Sequence, residues 1–285
     1  MKTFITLALV CRFFCAVALP RVYERVVFSG NVTATDRTQA CCKTTWASQI
    51  VANTDPAKFI ALHIKEYYFR YWSGPKQEQL FRFPFSTLFC PAMARVANIR
   101  EVEFVLSFVT KEHWEAMAAL KQLDCLHFSD CSFTENPPDQ ELSVRAVTLV
   151  SSHTPFTIWP IATSTLRTLK TDDLEAVLKL VTARQLSIKN LVLRYTDFFK
   201  VNMLLPVLEQ LHDLESVTIG FRVTSAASPL MSRLSLKKLF PRLRSFTVKA
   251  VYLCDTVPQH VTVKVCFMSS IPPSQLIVKV LIRYM

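Results

Sequence analysis

Nine cysteines and six histidines are the side chains with which this 285-residue sequence could do nucleophilic or metal chemistry. The cysteines stand at 11, 15, 41, 42, 90, 125, 131, 254 and 266, an odd, scattered set with no C-x-x-C pair. Such a set is a poor disulfide framework and fits a reducing compartment. Cys125 and Cys266 fall in apolar, strand-like runs, where a free thiol acts as a small buried hydrophobe. A zinc site needs Cys or His ligands at close, repeated spacing. The nearest approach is His113 between Glu112 and Glu115, which reads as the solvated start of a helix. No metal or cofactor is expected. The three glycines, Gly30, Gly74 and Gly220, stand alone, so neither a phosphate-cradling loop nor a dinucleotide fingerprint can be built. Ser, His and Asp residues occur without a nucleophile motif. Binding, not catalysis, is the chemistry expected of the chain.

The elements that would carry a binding surface are legible in a recurring apolar frame, L-x-x-L-x-x-L-x-L with tolerant positions. Its copies begin at Pro56, Val96, Leu120, Glu141, Thr163, Gln185, Leu211 and Phe240. The clearest are Leu120, Leu123, Leu126, Phe128; Leu211, Leu214, Val217, Ile219; and Phe240, Leu243, Phe246, Val248. From Val96 onward the steps are 24, 21, 22, 22, 26 and 29 residues, within the leucine-rich-repeat range of about 20 to 29. The first step is 40, so an insertion or an unread repeat lies there. A period of three giving way to a period of two describes chain leaving a helix or loop and entering a strand. The fold expected is therefore α/β: an irregular leucine-rich-repeat solenoid, a parallel sheet with helices on its convex side. Each unit buries its apolar face only against its neighbours.

Strands are expected over Arg21–Phe28 and Phe59–Ile64, and helices over Gln39–Ala52, Glu112–Leu120, Asp172–Ala183, Phe198–Leu211 and Leu230–Leu239. Asp172 and Asp173 suit the positive end of a helix, as caps. The aromatic and Arg-rich stretch from Tyr67 to Phe85 is expected to fold into the core.

Residues between the frame positions point away from the core. Those with charge or hydrogen-bonding groups, His63, Lys65, Glu103, His127, Lys170 and Arg194, are the candidate partner contacts on the concave face. The net charge of +11 is concentrated late: from Phe221 onward there are ten basic residues and one acidic. Arg233, Lys237, Lys238, Arg242 and Arg244 make a candidate basic patch. With no nucleic-acid motif, it is expected to be a solvated face, and nucleic-acid binding is not expected.

Residues 1–20 read in two ways. A Lys, an apolar run, small residues at Ala16 and Ala18, and the sequon Asn31-Val32-Thr33 suit a secretory signal, which would make the chain a secreted or surface repeat protein binding an external ligand. Arg12 interrupts that run, however, while Leu7, Val10, Cys11, Phe14 and Ala18 follow helical spacing and Pro20 is placed to end the helix. No apolar run reaches the length of a membrane span.

The string LALVCRFFCAVALPRVYERVVFSG, residues 7–30, resembles the second half of the F-box-like domain in fungal F-box and leucine-rich-repeat proteins. Leu7, Leu9, Val10, Cys11, Arg12, Phe14, Ala18, Pro20 and Tyr23 carry the match, over about 24 residues. That family's opening L-P-x-E type helix has no counterpart between Met1 and Leu7. The resemblance implies an N-terminally incomplete F-box over 1–20, followed by a repeat domain over 21–285. It further implies a non-enzymatic, cytoplasmic or nuclear subunit that recruits protein substrates to a cullin-type ubiquitin ligase. Leu7, Val10, Cys11 and Phe14 would face the Skp-type adaptor, with the cullin joining if the F-box is completed upstream.

Overall fold

The computed structural model describes residues 12–29, 45–71, 88–133, 140–151, 161–183, 186–197, 208, 210–223, 242–252 and 259–266. The chain divides into two compact units, each α/β with parallel strands. The first holds Met1–Val144 with Ser152–Thr154 and Ile158–Ala162; the second holds Arg145–Ser151, Pro155–Thr157 and Thr163–Met285.

Unit 1 runs α1 (Arg12–Tyr23), β1 (Arg25–Ser29), α2 (45–51), α3 (Asp55–Ala61), β2 (Glu66–Arg70), α4 (Cys90–Ala94), β3 (Glu101–Val105), β4 (Phe108–Val109), α5 (Lys111–Ala118), β5 (Cys125–Ser129) and β6 (Ser132–Phe133). Strands β1, β2, β3 and β5 pair in that order, all parallel; β4 and β6 form a separate short parallel pair. Unit 2 runs β7 (Ala146–Val150), β8 (Thr168–Thr171), α6 (Leu174–Ala183), β9 (Asn190–Asp197), β10 (Ser216–Val223), β11 (Ser245–Tyr252) and β12 (Gln259–Cys266). Its strands pair in sequence order, parallel except that β12 returns antiparallel to β11.

The apolar frame sets which face is buried. Strands β3, β5 and β7 alternate half-buried and buried, the buried residues being Val102 and Phe104, Leu126 and Phe128, Val147 and Leu149. In unit 1 the last frame position is aromatic in every strand of the main sheet. Phe28, Phe69, Phe104 and Phe128 stand in register and stack face to face at 5.7, 4.9 and 5.5 Å between ring centres. Each such pair adds about 0.5–1.5 kcal/mol beyond area burial. Unit 2 fills the same position with Leu149, Thr171, Leu193 and Ile219, all buried. Thr171 is tolerated there because its hydroxyl accepts from the Asp173 amide at 3.1 Å. Helix α5 covers the buried face of unit 1: His113 lies edge-on to Phe69 and Phe104, and Trp114 sits 5.6 Å from Phe128.

One backbone brace repeats at strand entry. The carbonyl of the residue before a strand accepts two successive amides from the next strand: Glu24 from Lys65 and Glu66, Lys65 from Arg100 and Glu101, Arg100 from Asp124 and Cys125. In unit 2, Arg145, Arg167, Lys189 and Glu215 accept in the same way. Every one of these acceptors carries a charge, and two neighbours pair directly, Lys65 with Glu24 at 3.0 Å and Lys189 with Glu215 at 2.6 Å. Strand exit also repeats: Tyr71, Leu106, Asp130 and Ser151 each follow a strand with φ of 61, 48, 53 and 49°, the left-handed region, with no glycine among them. The Tyr71 and Leu106 amides continue the ladder to the Val105 and Ser129 carbonyls.

Several expectations are corrected. Residues 59–64 are not a strand: Asp55 and Pro56 start helix α3, which is followed by a turn, and Phe59 and Leu62 are 51% and 60% exposed. The strand is Glu66–Arg70, and the frame there is Ala61, Ile64, Tyr67, Phe69, five residues later than the sequence suggests. A copy at Pro20, Tyr23, Val26, Phe28 went unread. Pro20 does not end α1, which runs to Tyr23; in the last turn a proline forfeits one helical bond only. Strand β1 accordingly begins at Arg25, not Arg21. The helix expected from Asp172 begins at Leu174, and that from Glu112 begins at Lys111. Residues 45–51 are the described part of the helix expected from Gln39. His113 is not solvated but buried. Cys125 is not a core thiol; it lies half-buried on the outward side of β5. Apart from helical Leu208 and Gln210 and the turn at Leu211, the helices expected over Phe198–Leu211 and Leu230–Leu239 lie outside the described residues.

Candidate interaction face

The outward positions of β1, β2, β3 and β5 come into register as rows: Arg25, Glu66, Glu101 and Cys125, then Val27, Tyr68, Glu103 and His127, then Ser29, Arg70, Val105 and Ser129. Parallel pairing brings these residues from separate strands onto one patch. Arg25 Nε donates to Glu66 Oε2 at 2.6 Å. The Tyr68 hydroxyl lies 3.2 Å from Glu66 Oε2 and 3.0 Å from Glu101 Oε1, with one proton to serve both carboxylates. His127 Nε2 stands 3.7 Å from Glu101 Oε1. The guanidinium carbons of Arg25 and Arg70 lie 4.7 and 5.7 Å from the Tyr68 ring centre, a cation–π arrangement on both counts.

The electrostatics follow from these contacts. Burial first, and then the hydrogen bond to Glu101 and the charges of Glu101 and Glu66, push the Tyr68 phenol well above its ordinary range, so it stays a donor. The hydrogen bond to Glu66 raises Arg25. At strand entry, Lys65 holds Glu24 below the usual carboxylate range, and Lys189 does the same for Glu215. A second polar column runs one turn before the strands: Asn98 donates to the Leu62 carbonyl at 2.8 Å, Ser187 to Asp213 at 2.6 Å, and Arg242 to the same Asp213 carboxylate.

The sequence-selected residues divide accordingly. Glu103, His127, Lys170 and Arg194 occupy half-buried outward positions of β3, β5, β8 and β9. His63 and Lys65 are not on a strand. His63 lies in the turn after α3, its ring edge-on to Phe59 at 5.0 Å, and Lys65 belongs to the strand-entry column. Of the basic patch, Arg242 is ion-paired with Asp213 and Arg244 is exposed, while Arg233, Lys237 and Lys238 lie outside the described residues. Phe14 falls within α1; Leu7, Val10 and Cys11 lie outside the described residues. Sequence reasoning missed Arg25, Glu66, Tyr68, Arg70 and Glu101 as one cluster. The polar–apolar alternation of Glu66, Tyr67, Tyr68, Phe69, Arg70 was the available signal, obscured because Tyr68 is itself aromatic.

The patch is a set of donors and acceptors that partly satisfy one another. Cys131, the buried thiol nearest to it in sequence, donates toward the Phe104 and Ser129 carbonyls at 3.3 Å, and burial pushes its pKa up to about 11, which keeps it a protonated thiol at neutral pH. Among the described residues no group of three or more His, Cys, Asp and Glu is placed to hold a metal ion, and no helix is long and apolar enough to cross a membrane. No family model matches the chain, and no curated protein matches it significantly.

Proposed function

We propose that this chain is a non-enzymatic protein-interaction scaffold built as an irregular leucine-rich-repeat solenoid, its outward strand positions forming the surface that holds a partner. The observation that carries the reading is the strand-entry brace, in which one carbonyl takes two amides from the next strand seven times over. A recurrent backbone unit of this kind sets outward residues from successive strands side by side at about 4.8 Å. That arrangement suits an extended protein surface better than a pocket. The resemblance of residues 7–30 sharpens the proposal to a substrate-recognition subunit of a cullin-type ubiquitin ligase, in the cytoplasm or nucleus. Helix α1 favours this over a cleaved leader, since it runs unbroken through Ala18, which is 2% exposed.

Affinity-tagged full-length protein, including any coding sequence upstream of Met1, tests both levels. Recovery of a Skp-type adaptor and a cullin, lost on Phe14→Asp, is the expected result. Recovery of neither refutes the ubiquitin-ligase assignment. The scaffold assignment is refuted if no protein partner is lost when outward positions on β3, β5, β8 and β9 are replaced together.

A further inference from the structure

The outward face of unit 1 pairs most of its polar groups with one another, and two charges are left over. Arg25 is held by Glu66 at 2.6 Å, His127 Nε2 stands 3.7 Å from Glu101, and the Tyr68 hydroxyl lies within hydrogen-bond reach of both Glu66 and Glu101. Arg70 and Glu103 share this face on adjacent strands, yet neither side chain has an ion pair or a hydrogen bond among the described residues. Register keeps them apart. Arg70 stands beside Val105 and Glu103 beside Tyr68, which sets the two backbones about 8 Å apart on the diagonal by strand spacing and rise. Arg70 lies instead against the Tyr68 ring, 5.7 Å from its centre, and Tyr68 is only 4% exposed although it occupies an outward position. This placement costs the cation hydration: Arg70 is half-buried, and its Nε is buried with no hydrogen-bond partner.

We propose that Arg70 and Glu103 together seat an extended segment of a partner protein that carries one acidic and one basic side chain two residues apart, the carboxylate on Arg70 and the cation on Glu103; the proposal rests on the scaffold reading above and names the partner's chemistry. Spacing fits the assignment. Side chains at i and i+2 of an extended chain lie on one side about 6.6 Å apart, and long charged side chains reach the ends of a diagonal of about 8 Å. Chemistry fits it as well: the Arg70 guanidinium, positioned against Tyr68, donates to a carboxylate, and Glu103 accepts from Lys or Arg. Val105, half-buried and next to Arg70 in register, adds apolar surface for the intervening chain. A ligand of one sign satisfies one of the two residues and is repelled by the other, so a polyanion such as a nucleic acid is set against Glu103 and a polycation against Arg70. Arg25, Glu66 and Glu101 are already engaged with neighbours on the face, which leaves the preference to Arg70 and Glu103.

The test uses the full chain and labelled nine-residue peptides that carry Glu and Arg two residues apart in either order, Glu at both positions, Arg at both, or neither, read by fluorescence anisotropy at low and moderate salt. A mixed peptide is expected to bind best, weakened about threefold or more by Arg70→Gln, by Glu103→Gln and by salt, and unchanged by Lys58→Gln on α3. Charge reversal gives a readout that loss of structure does not imitate: Glu103→Lys should move the preference to the two-Glu peptide, and Arg70→Glu should move it to the two-Arg peptide. Circular dichroism verifies the fold of each variant. Equal binding of all the peptides by wild type overturns the proposal, as does a preference that stays with the mixed peptide in both reversed variants. A peptide array probed with wild type, with the two glutamine variants and with the joint replacement of outward positions on β3, β5, β8 and β9 separates the two levels. Spots lost on the joint replacement but indifferent to Arg70→Gln and Glu103→Gln remove this pairing and leave the scaffold; an array on which no spot responds to the joint replacement removes both.

Discussion

His113 makes the stability of unit 1 depend on pH in a direction fixed by its surroundings. The imidazole is 2% exposed, edge-on to Phe69 and Phe104 at 5.9 and 5.3 Å. Its Nδ1 accepts the Thr110 amide at 3.0 Å, closing a capping box at the start of α5, with the Thr110 hydroxyl 2.8 Å away. Protonation would bury a charge and set an N–H against an amide donor. Burial accordingly lowers the pKa from 6.5 to about 4, only partly opposed by Glu112. Because the folded-state value lies below the unfolded one, the unfolded chain takes up a proton first as the solution is acidified. The stabilising contribution is complete above about pH 6.5 and declines through the window down to about pH 4. At about 1.4 kcal/mol per unit, the shift of 2.5 units corresponds to about 3 kcal/mol in all, of which about 2 is lost by pH 5.

The comparison is between wild type and His113→Gln, since glutamine is a regular capping-box partner and keeps the acceptor without titrating. Urea denaturation followed by circular dichroism at pH 7.5, 6.0 and 5.0 should show the wild type losing about 2 kcal/mol more than the variant over that range. The other histidines are common to both proteins, so the difference isolates this residue. Parallel pH profiles for the two proteins would refute the reasoning.

Three further perturbations test local features of the strands and their exits. Tyr67 is fully buried and its hydroxyl has no hydrogen-bond partner among the described residues, so Tyr67→Phe should stabilise by about 1 kcal/mol in urea melts; a loss of that size would mean the hydroxyl is bonded. Asp172 accepts from the Ser151 amide at 2.9 and 2.8 Å and from its hydroxyl at 3.1 Å, clamping a left-handed residue, and Asp172→Ala should cost about 1–2 kcal/mol; an unchanged melting temperature would remove the clamp. Leu106 has φ of 48°, so Leu106→Gly should be more stable than Leu106→Ala by about 1 kcal/mol, reversing the ordinary order of the two residues; alanine above glycine in urea melts would contradict the left-handed backbone.

How far the fold was legible depended on which residue filled the frame. Leu120, Leu123, Leu126 and Phe128 announce β5 because leucines at the period-three positions are followed by strict alternation. Around β2 the same frame is built from Ala61, Ile64, Tyr67 and Phe69, while the exposed Phe59 and Leu62 of α3 imitate it five residues early. Helical i, i+3 spacing and the first half of the frame share a period, so composition alone could not separate them. His113 was misread because its flanks are charged, although His113, Ala116, Met117 and Leu120 form one buried stripe at helical spacing. The charged column of Glu24, Lys65, Arg100, Asp124, Arg145, Arg167, Lys189, Glu215 and Arg244 was visible at a fixed offset before each strand; it was overlooked because its sign varies.

That variation has a physical reason, and it bears on why a partner is harder to read than the fold. The brace at strand entry is made by backbone atoms, so it requires of its side chain only that it remain in water, and Glu, Arg, Lys and Asp all meet that condition. Ion pairs along the column, such as Lys65 with Glu24, are exposed and each contributes at most about 1 kcal/mol. The two buried frame positions of each strand are different: a polar residue there needs a local partner, as Thr171 has in the Asp173 amide. Between them lie outward positions that neither brace nor core constrains. Thr148 beside Lys170 in unit 2, and Arg25, Glu66 and Glu101 side by side in unit 1, thus fill outward positions with different chemistry, a choice the fold does not make. On the scaffold proposal, the outward rows are therefore the place to look for a partner's chemistry, because neither the backbone brace nor the core dictates what fills them.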